Sequence, residues 1–120
     1  MSDPAEMRRK IEEEMERTKF QRKAVAHGSA AEVMEEAVAF FKERGYKSGR
    51  TGRPNQVYVR GGRDGLLPVT HAELLVQQNV GKGKVTMVSV SGAGEKLSAV
   101  LDEYVNHLRA QARAARSARE

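Results

Sequence analysis

The stretch LPVTHAELLVQQNVGKGKVTMVSVS, residues 67–91, decides the fold. It reads as two strands, 67–80 and 84–91, joined by the three-residue loop Gly81-Lys82-Gly83. A short glycine-containing connection between two period-two runs is a hairpin signal. Pairing Val80 with Lys84 sets Val76 against Val88 and Leu74 against Val90, with Ala72 beside them. That face is purely apolar. The other face sets Leu75 against Ser89, Gln77 against Met87 and Asn79 against Val85, and it is mixed. A one-residue slip would scramble both faces, so the hydrophobic pattern fixes the register.

Working outward, two shorter strands are expected before the hairpin. They are 46–51 and 56–60, separated by a turn at Gly52-Arg53-Pro54-Asn55. Val57 and Val59 share one side of the second, and Tyr58 takes the other. Residues 61–65, Gly-Gly-Arg-Asp-Gly, form a loop. Helices flank the strands. Ser29 and Glu32 make an S-x-x-E capping box before a wide apolar face of Val33, Met34, Ala37, Val38, Phe40 and Phe41, and Gly45 stops that helix, 30–44. After Gly92-Ala93-Gly94, the positions Leu97, Val100, Leu101, Tyr104, Val105 and Leu108 repeat at helical spacing from about Glu95 to at least Ala110.

The N-terminal region reads differently. Asp3 is a suitable N-cap and Pro4 a suitable first helical residue, so a helix is predicted from 4 to about 26. Its apolar seam is only Met7, Ile11 and Met15, too narrow for a core helix and too short for a coiled coil. Pairs such as Glu6–Lys10 and Glu13–Arg17 support it in solvent. The expected fold is therefore α+β, a two-layer sandwich. A three- to four-stranded antiparallel sheet follows the order helix-helix-strands-helix, with two helices on one face and an additional charged N-terminal helix. Residues 1–28 are the charged helix, 29–108 the compact domain, and 109–120 a basic helical extension or tail.

Composition narrows the function classes. The chain has 120 residues, with 39% hydrophobic, 31% charged and 5% aromatic, and a net charge of +5. That length suits one domain with a small core. Cysteine is absent, which removes disulfides, thiolate metal sites and thiol catalysis. The segment MSDPAEMRRKIEEEMER has no apolar h-region, and no apolar run reaches membrane-spanning length. The expected location is the cytoplasm.

Catalytic and ligand motifs are missing from the pattern. His27, His71 and His107 show no H-x-x-x-H spacing. His71 and Glu73 share a strand face, which suits a solvated or interface pair better than a metal site. No serine lies in G-x-S-x-G. Gly49-x-x-Gly52, Gly61-Gly62 and Gly81-x-Gly83 fall between strands, where turns explain them. Gly92-Ala93-Gly94 precedes a helix and could offer amides to an anion, but Glu95 already supplies negative charge there. The reading is of no enzyme, no cofactor and no metal.

The leading expectation is a non-enzymatic binding or assembly domain that self-associates, with a homodimer favoured. Its contact residues would be Met7, Ile11 and Met15 of the seam and Leu75, Val85 and Met87 of the mixed face. The alternative is a nucleic-acid-binding protein. Lys47, Arg50, Arg53, Arg60 and Arg63 stand against one acid, Asp64, and the C-terminal tail adds Arg109, Arg113, Arg116 and Arg119 against Glu120. A third reading places a small molecule between sheet and helices, lined by residues such as Phe40, Phe41, Leu74, Val76, Val88, Leu101 and Tyr104. Those side chains are explained more simply as core.

Overall fold

The computed structural model describes residues 3–119, and of Arg119 only the backbone. The elements run α1 (Pro4–Arg17), β1 (Phe20–Ala26), α2 (Ala30–Glu43), β2 (Lys47–Arg50), β3 (Gln56–Gly61), β4 (Thr70–Val80), β5 (Val85–Gly92) and α3 (Glu95–Arg119). The protein is α+β, with an antiparallel sheet packed against helices.

The N-terminal prediction needs correction. Asp3 and Pro4 do start a helix, and the Asp3 side chain accepts from the Ala5 amide. That helix ends at Arg17, where the Thr18 hydroxyl donates to the Glu14 carbonyl at 2.7 Å. Residues 20–26 are a strand, not helix. They pair antiparallel with β5, so the sheet has five strands rather than three or four, in the order β1-β5-β4-β3-β2. The chain therefore runs helix-strand-helix-strands-helix. β1 lies inside the compact unit that the sequence alone begins at residue 29. Its inward residues are Phe20, Ala24 and Ala26, which are buried. Small side chains suit a strand that α3 crosses closely, and they hide it from a hydrophobicity pattern.

The central hairpin keeps the expected register over most of its length. Leu74 pairs with Val90, Leu75 with Ser89, Val76 with Val88 and Gln77 with Met87. It departs at the turn. Gln78 and Asn79 together oppose Thr86, a β-bulge, and Asn79 takes a left-handed φ of 59°. Val80 then faces Val85, so Asn79 does not, and the turn is Gly81–Lys84. The bulge has a use: the Gln78 side-chain oxygen accepts from the Ala30 amide at 2.9 Å, adding to the cap of α2. The other end also differs. Leu67 is not in a strand but closes a tight turn with Asp64 through two backbone hydrogen bonds of 2.9 Å.

α2 and α3 cover one face. Beneath them lie Val57, Val59, Leu74, Val76, Val88 and Val90, at most 1% exposed. The Tyr104 ring sits 5.1 Å from Phe40 and 5.2 Å from Phe41 between ring centres. Among the described residues, its hydroxyl is the buried side-chain polar atom without a partner, and burial raises its pKa. α3 is 25 residues long, about 37 Å, against about 26 Å for β5. Its last turns reach the β4–β5 turn, where Ala112, Ala115 and Arg116 lie beside Lys84 and Val85.

One junction holds α3 in place. Asp64 is buried, and its carboxylate accepts from the amides of Lys96 at 3.0 Å and Leu97 at 2.9 Å. The Thr18 hydroxyl accepts from the Gly94 amide at 2.9 Å, and the Thr70 hydroxyl donates to the Ala93 carbonyl. Gly94 has a φ of +119°, and a Cβ there would lie 2.5 Å from the Thr70 hydroxyl and 2.6 Å from the Asp64 carboxylate. The amides that might have received an external anion are already occupied by Asp64.

Candidate binding face of the sheet

The helices leave the opposite face of the sheet uncovered. Alternation along each strand decides what it shows. β1 contributes Gln21, Lys23 and Val25, β5 contributes Met87, Ser89 and Ser91, and β4 contributes His71, Glu73, Leu75 and Gln77. Gln56, Tyr58 and Arg60 come from β3, and Lys47 and Gly49 from β2. Tyr58 is 40% exposed and Leu75 42%, so no other element is seated on them.

The strand register sorts these residues into rows. One row reads His71, Arg60, Lys47 across β4, β3 and β2. The next carries Gln21, Ser91, Glu73, Tyr58 and Gly49. Then come Lys23, Ser89, Leu75 and Gln56, and finally Val25, Met87 and Gln77. The face thus has a basic row at the end where α3 begins and an apolar corner, Val25–Met87–Leu75, toward the β4–β5 turn. Tyr58 reaches over Gly49, where a Cβ would meet the ring at 3.0 Å, so a larger residue there would displace the Tyr58 ring.

The cations of this face lack partners. Among the described residues, Lys23, Lys47, Arg53 and Arg60 make no ion pair, and neither do Arg8, Lys42, Lys96, Arg109, Arg113 and Arg116 of the helices, whereas Lys10 pairs with Glu6, Arg9 with Glu13, Arg17 with Glu14, and Arg44 with Glu103. Glu103 shows what pairing does. Two hydrogen bonds from the Arg44 guanidinium hold its carboxyl below the usual range.

A pocket of about 510 Å³ opens on the same face. Arg53 and Pro54 of the β2–β3 turn form one wall, Leu75, Gln56 and Glu73 line it, and Ser89 and Ser91 complete it. Glu73 accepts from Gln56 Nε2 at 3.2 Å, and Gln56 Oε1 accepts from the Thr51 hydroxyl at 2.9 Å. A second pocket, about 560 Å³, lies at the far end, where Arg116, Ala112 and Ala115 of α3 face His27, Lys84 and Val85.

The residues expected from sequence are therefore only partly brought together. Lys47 and Arg60 are cross-strand neighbours at the open end of the β2–β3 hairpin, and Arg53 lines the pocket at the turn, the hairpin's other end. Arg50 is on the helix side, with its guanidinium 3.5 Å from the Ala31 carbonyl. Arg63 sits in the β3–β4 loop. Arg113 and Arg116 are on the last turns of α3, away from Lys47 and Arg60, and Arg116 lies beside the β4–β5 turn. The Arg119 side chain and Glu120 lie outside the described residues. Leu75 and Met87 are close on the sheet, and Val85 is half-buried near the turn. Met7 and Met15 are exposed and Ile11 is half-buried on α1, which has no buried residue and contributes nothing to the pocket beside Leu75.

Two residues of the face were missed from sequence as members of the basic set, Lys23 and His71. Lys23 was hidden because its strand was read as helix. Among the described residues, His71 makes no side-chain hydrogen bond to Glu73 or to any other group. The histidine that does meet a carboxylate is His107, whose Nε2 is 2.8 Å from Glu36, beside Gln111, between the helices. The residues proposed to line an internal cavity are tightly packed core, and none lines either pocket. No helix among the described residues is long and apolar enough to cross a membrane. No protein-family model matches this chain, and neither a curated protein nor a solved structure does.

Proposed function

We propose that this protein is a non-enzymatic nucleic-acid-binding domain whose contact surface is the uncovered face of its sheet. The observation that carries the reading is the set of unpaired cations there: Lys23, Lys47, Arg53 and Arg60 against the single carboxylate of Glu73. Left unneutralised on one surface, they produce a positive field that attracts a polyanion. Tyr58 and Leu75 lie among them, which supplies apolar and aromatic surface for bases beside cations for phosphates.

The test is fluorescence anisotropy with labelled mixed-sequence RNA and DNA. With about three phosphates neutralised on a single strand, raising salt from 50 to 200 mM should weaken binding about 20-fold. Exchanging Lys47 and Arg60 together for glutamate should abolish binding and leave the fold intact by circular dichroism. Absence of binding at low salt, or unchanged binding by that variant, overturns the reading.

Self-association is the second reading, favoured by α1. Met7 and Met15 stay 39% and 49% exposed on a helix with no fully buried residue. A homodimer through this seam, or through the Val25–Met87–Leu75 corner, would cover them. Sedimentation velocity at tens of micromolar decides: a monomer removes it.

A further inference from the structure

We propose, building on the nucleic-acid reading, that the pocket on the open face is a subsite for an unpaired guanine base of a single strand. The starting point is Glu73. A carboxylate in the middle of a phosphate-binding surface repels the backbone, so a purely electrostatic binder gains nothing from it. It is nevertheless held in place, by a chain running from the Thr51 hydroxyl through the Gln56 amide to its Oε2. The carboxylate retains acceptor capacity after that one bond, since its two oxygens offer about four acceptor sites.

The Watson–Crick edges of the bases differ in what they offer such a group. Guanine presents two adjacent donors, N1–H and the N2 amino group, which match two carboxylate oxygens side by side. Adenine and cytosine each place a ring acceptor beside their amino group, and uracil flanks its one N–H with two carbonyls. Those acceptors would confront the carboxylate lone pairs. Charge-assisted, two-point hydrogen bonding is both stronger and more discriminating than a single neutral bond.

The surroundings suit a base. Leu75 offers an exposed apolar seat, and the Arg53 wall offers a planar guanidinium of the kind that stacks on bases. Ser91 is the cross-strand partner of Glu73, and Ser89 that of Leu75. Among the described residues their hydroxyls have no hydrogen-bond partner, and they can donate to the guanine O6. Cations stand on both sides: Lys23 pairs across from Ser89, while Arg60 lies one row beyond Glu73. A backbone passing either way meets a positive charge. Because the pairing edge is consumed, the base must come from a single strand.

The experiment measures anisotropy of labelled uridine heptamers carrying one central G, A, C or U, at 50 mM salt. The G heptamer should bind about tenfold more tightly than the others, the discrimination expected of one good two-point contact. Annealing it to its complement should erase that preference. Glu73→Gln should also erase it, while leaving the other three heptamers bound at least as tightly, because a negative charge has gone. Equal binding of all four heptamers overturns the subsite and leaves the nucleic-acid reading standing. So does a guanine preference that survives Glu73→Gln. No binding of any heptamer overturns both. Guanosine monophosphate should bind more weakly than the G heptamer. If it binds more tightly, the pocket serves a free nucleotide and the strand subsite is wrong.

Discussion

Leu74 and Val76 of β4 are fully buried beneath the helices, while Leu75 between them keeps 42% of its surface exposed. The same alternation separates Val88 and Val90 from Met87 and Ser89, and Val57 and Val59 from Tyr58. One face is a packed apolar layer in which each side chain is fixed by its neighbours. The other carries cations without partners, free hydroxyls and one positioned carboxylate. The covered face is where the folding free energy comes from, because burial there removes large aliphatic surfaces from water. The open face contributes little to that and is free to vary in chemistry. The cations that the strand register gathers on it without ion-pair partners are the basis of the proposed function.

The sharpest way to break this comparison is to truncate adjacent leucines. Leu74→Ala should cost about 3 kcal/mol by urea unfolding, as large-to-small changes in packed cores do. Leu75→Ala should stay within about 0.5 kcal/mol. Equal losses would mean that the open face is covered in solution, as a homodimer through the Val25–Met87–Leu75 corner would cover it. Next in size, Asp64→Ala should cost about 1–2 kcal/mol, because two amides at the start of α3 lose their acceptor.

A smaller effect is expected at the rim, where Arg44 bonds Glu103. The folded carboxyl has a lowered pKa, so its stabilising contribution is complete above the unfolded value of about 4.3 and is lost as the pH falls through the lower folded value. The gap in urea midpoint between the wild type and Glu103→Gln should therefore be widest at neutral pH and close in acid. Least of all, the double exchange of Lys47 and Arg60 for glutamate should leave the urea midpoint within the range of surface substitutions, about 0.5 kcal/mol. A large loss would mean that those cations serve the fold.

What the sequence made legible follows the same division. The β4–β5 register could be derived because Leu74, Val76, Val88 and Val90 give a strong period of two. Helices α2 and α3 were legible for the corresponding reason at helical period. β1 was not. Phe20-Gln21-Arg22-Lys23-Ala24-Val25-Ala26 alternates, but two of its inward residues are alanines, which a helix tolerates as well as a strand does. Losing β1 also lost Lys23 and Val25 from the open face. The basic set was half legible. Composition marked the segment from 47 to 63, but only the strand register separates Lys47 and Arg60 from Arg50, which turns to the other side. The role of Asp64 could not be seen at all, since its partners begin 32 residues later.

That junction also bears on the order of folding events. The first turn of α3 is bonded by Asp64 from 32 and 33 positions away and by Thr18 from 76 and 80. Such contacts close long loops and add nothing until the intervening chain is arranged. α3 is thus completed only when the end of α1, the β3–β4 loop and β5 have come together. Amide exchange at Lys96 and Leu97 should then proceed through opening of the whole domain rather than by fraying of the helix end. The end of α1 and the start of α3 should then open together, and the first turn of the long helix should report on the stability of the elements that meet there.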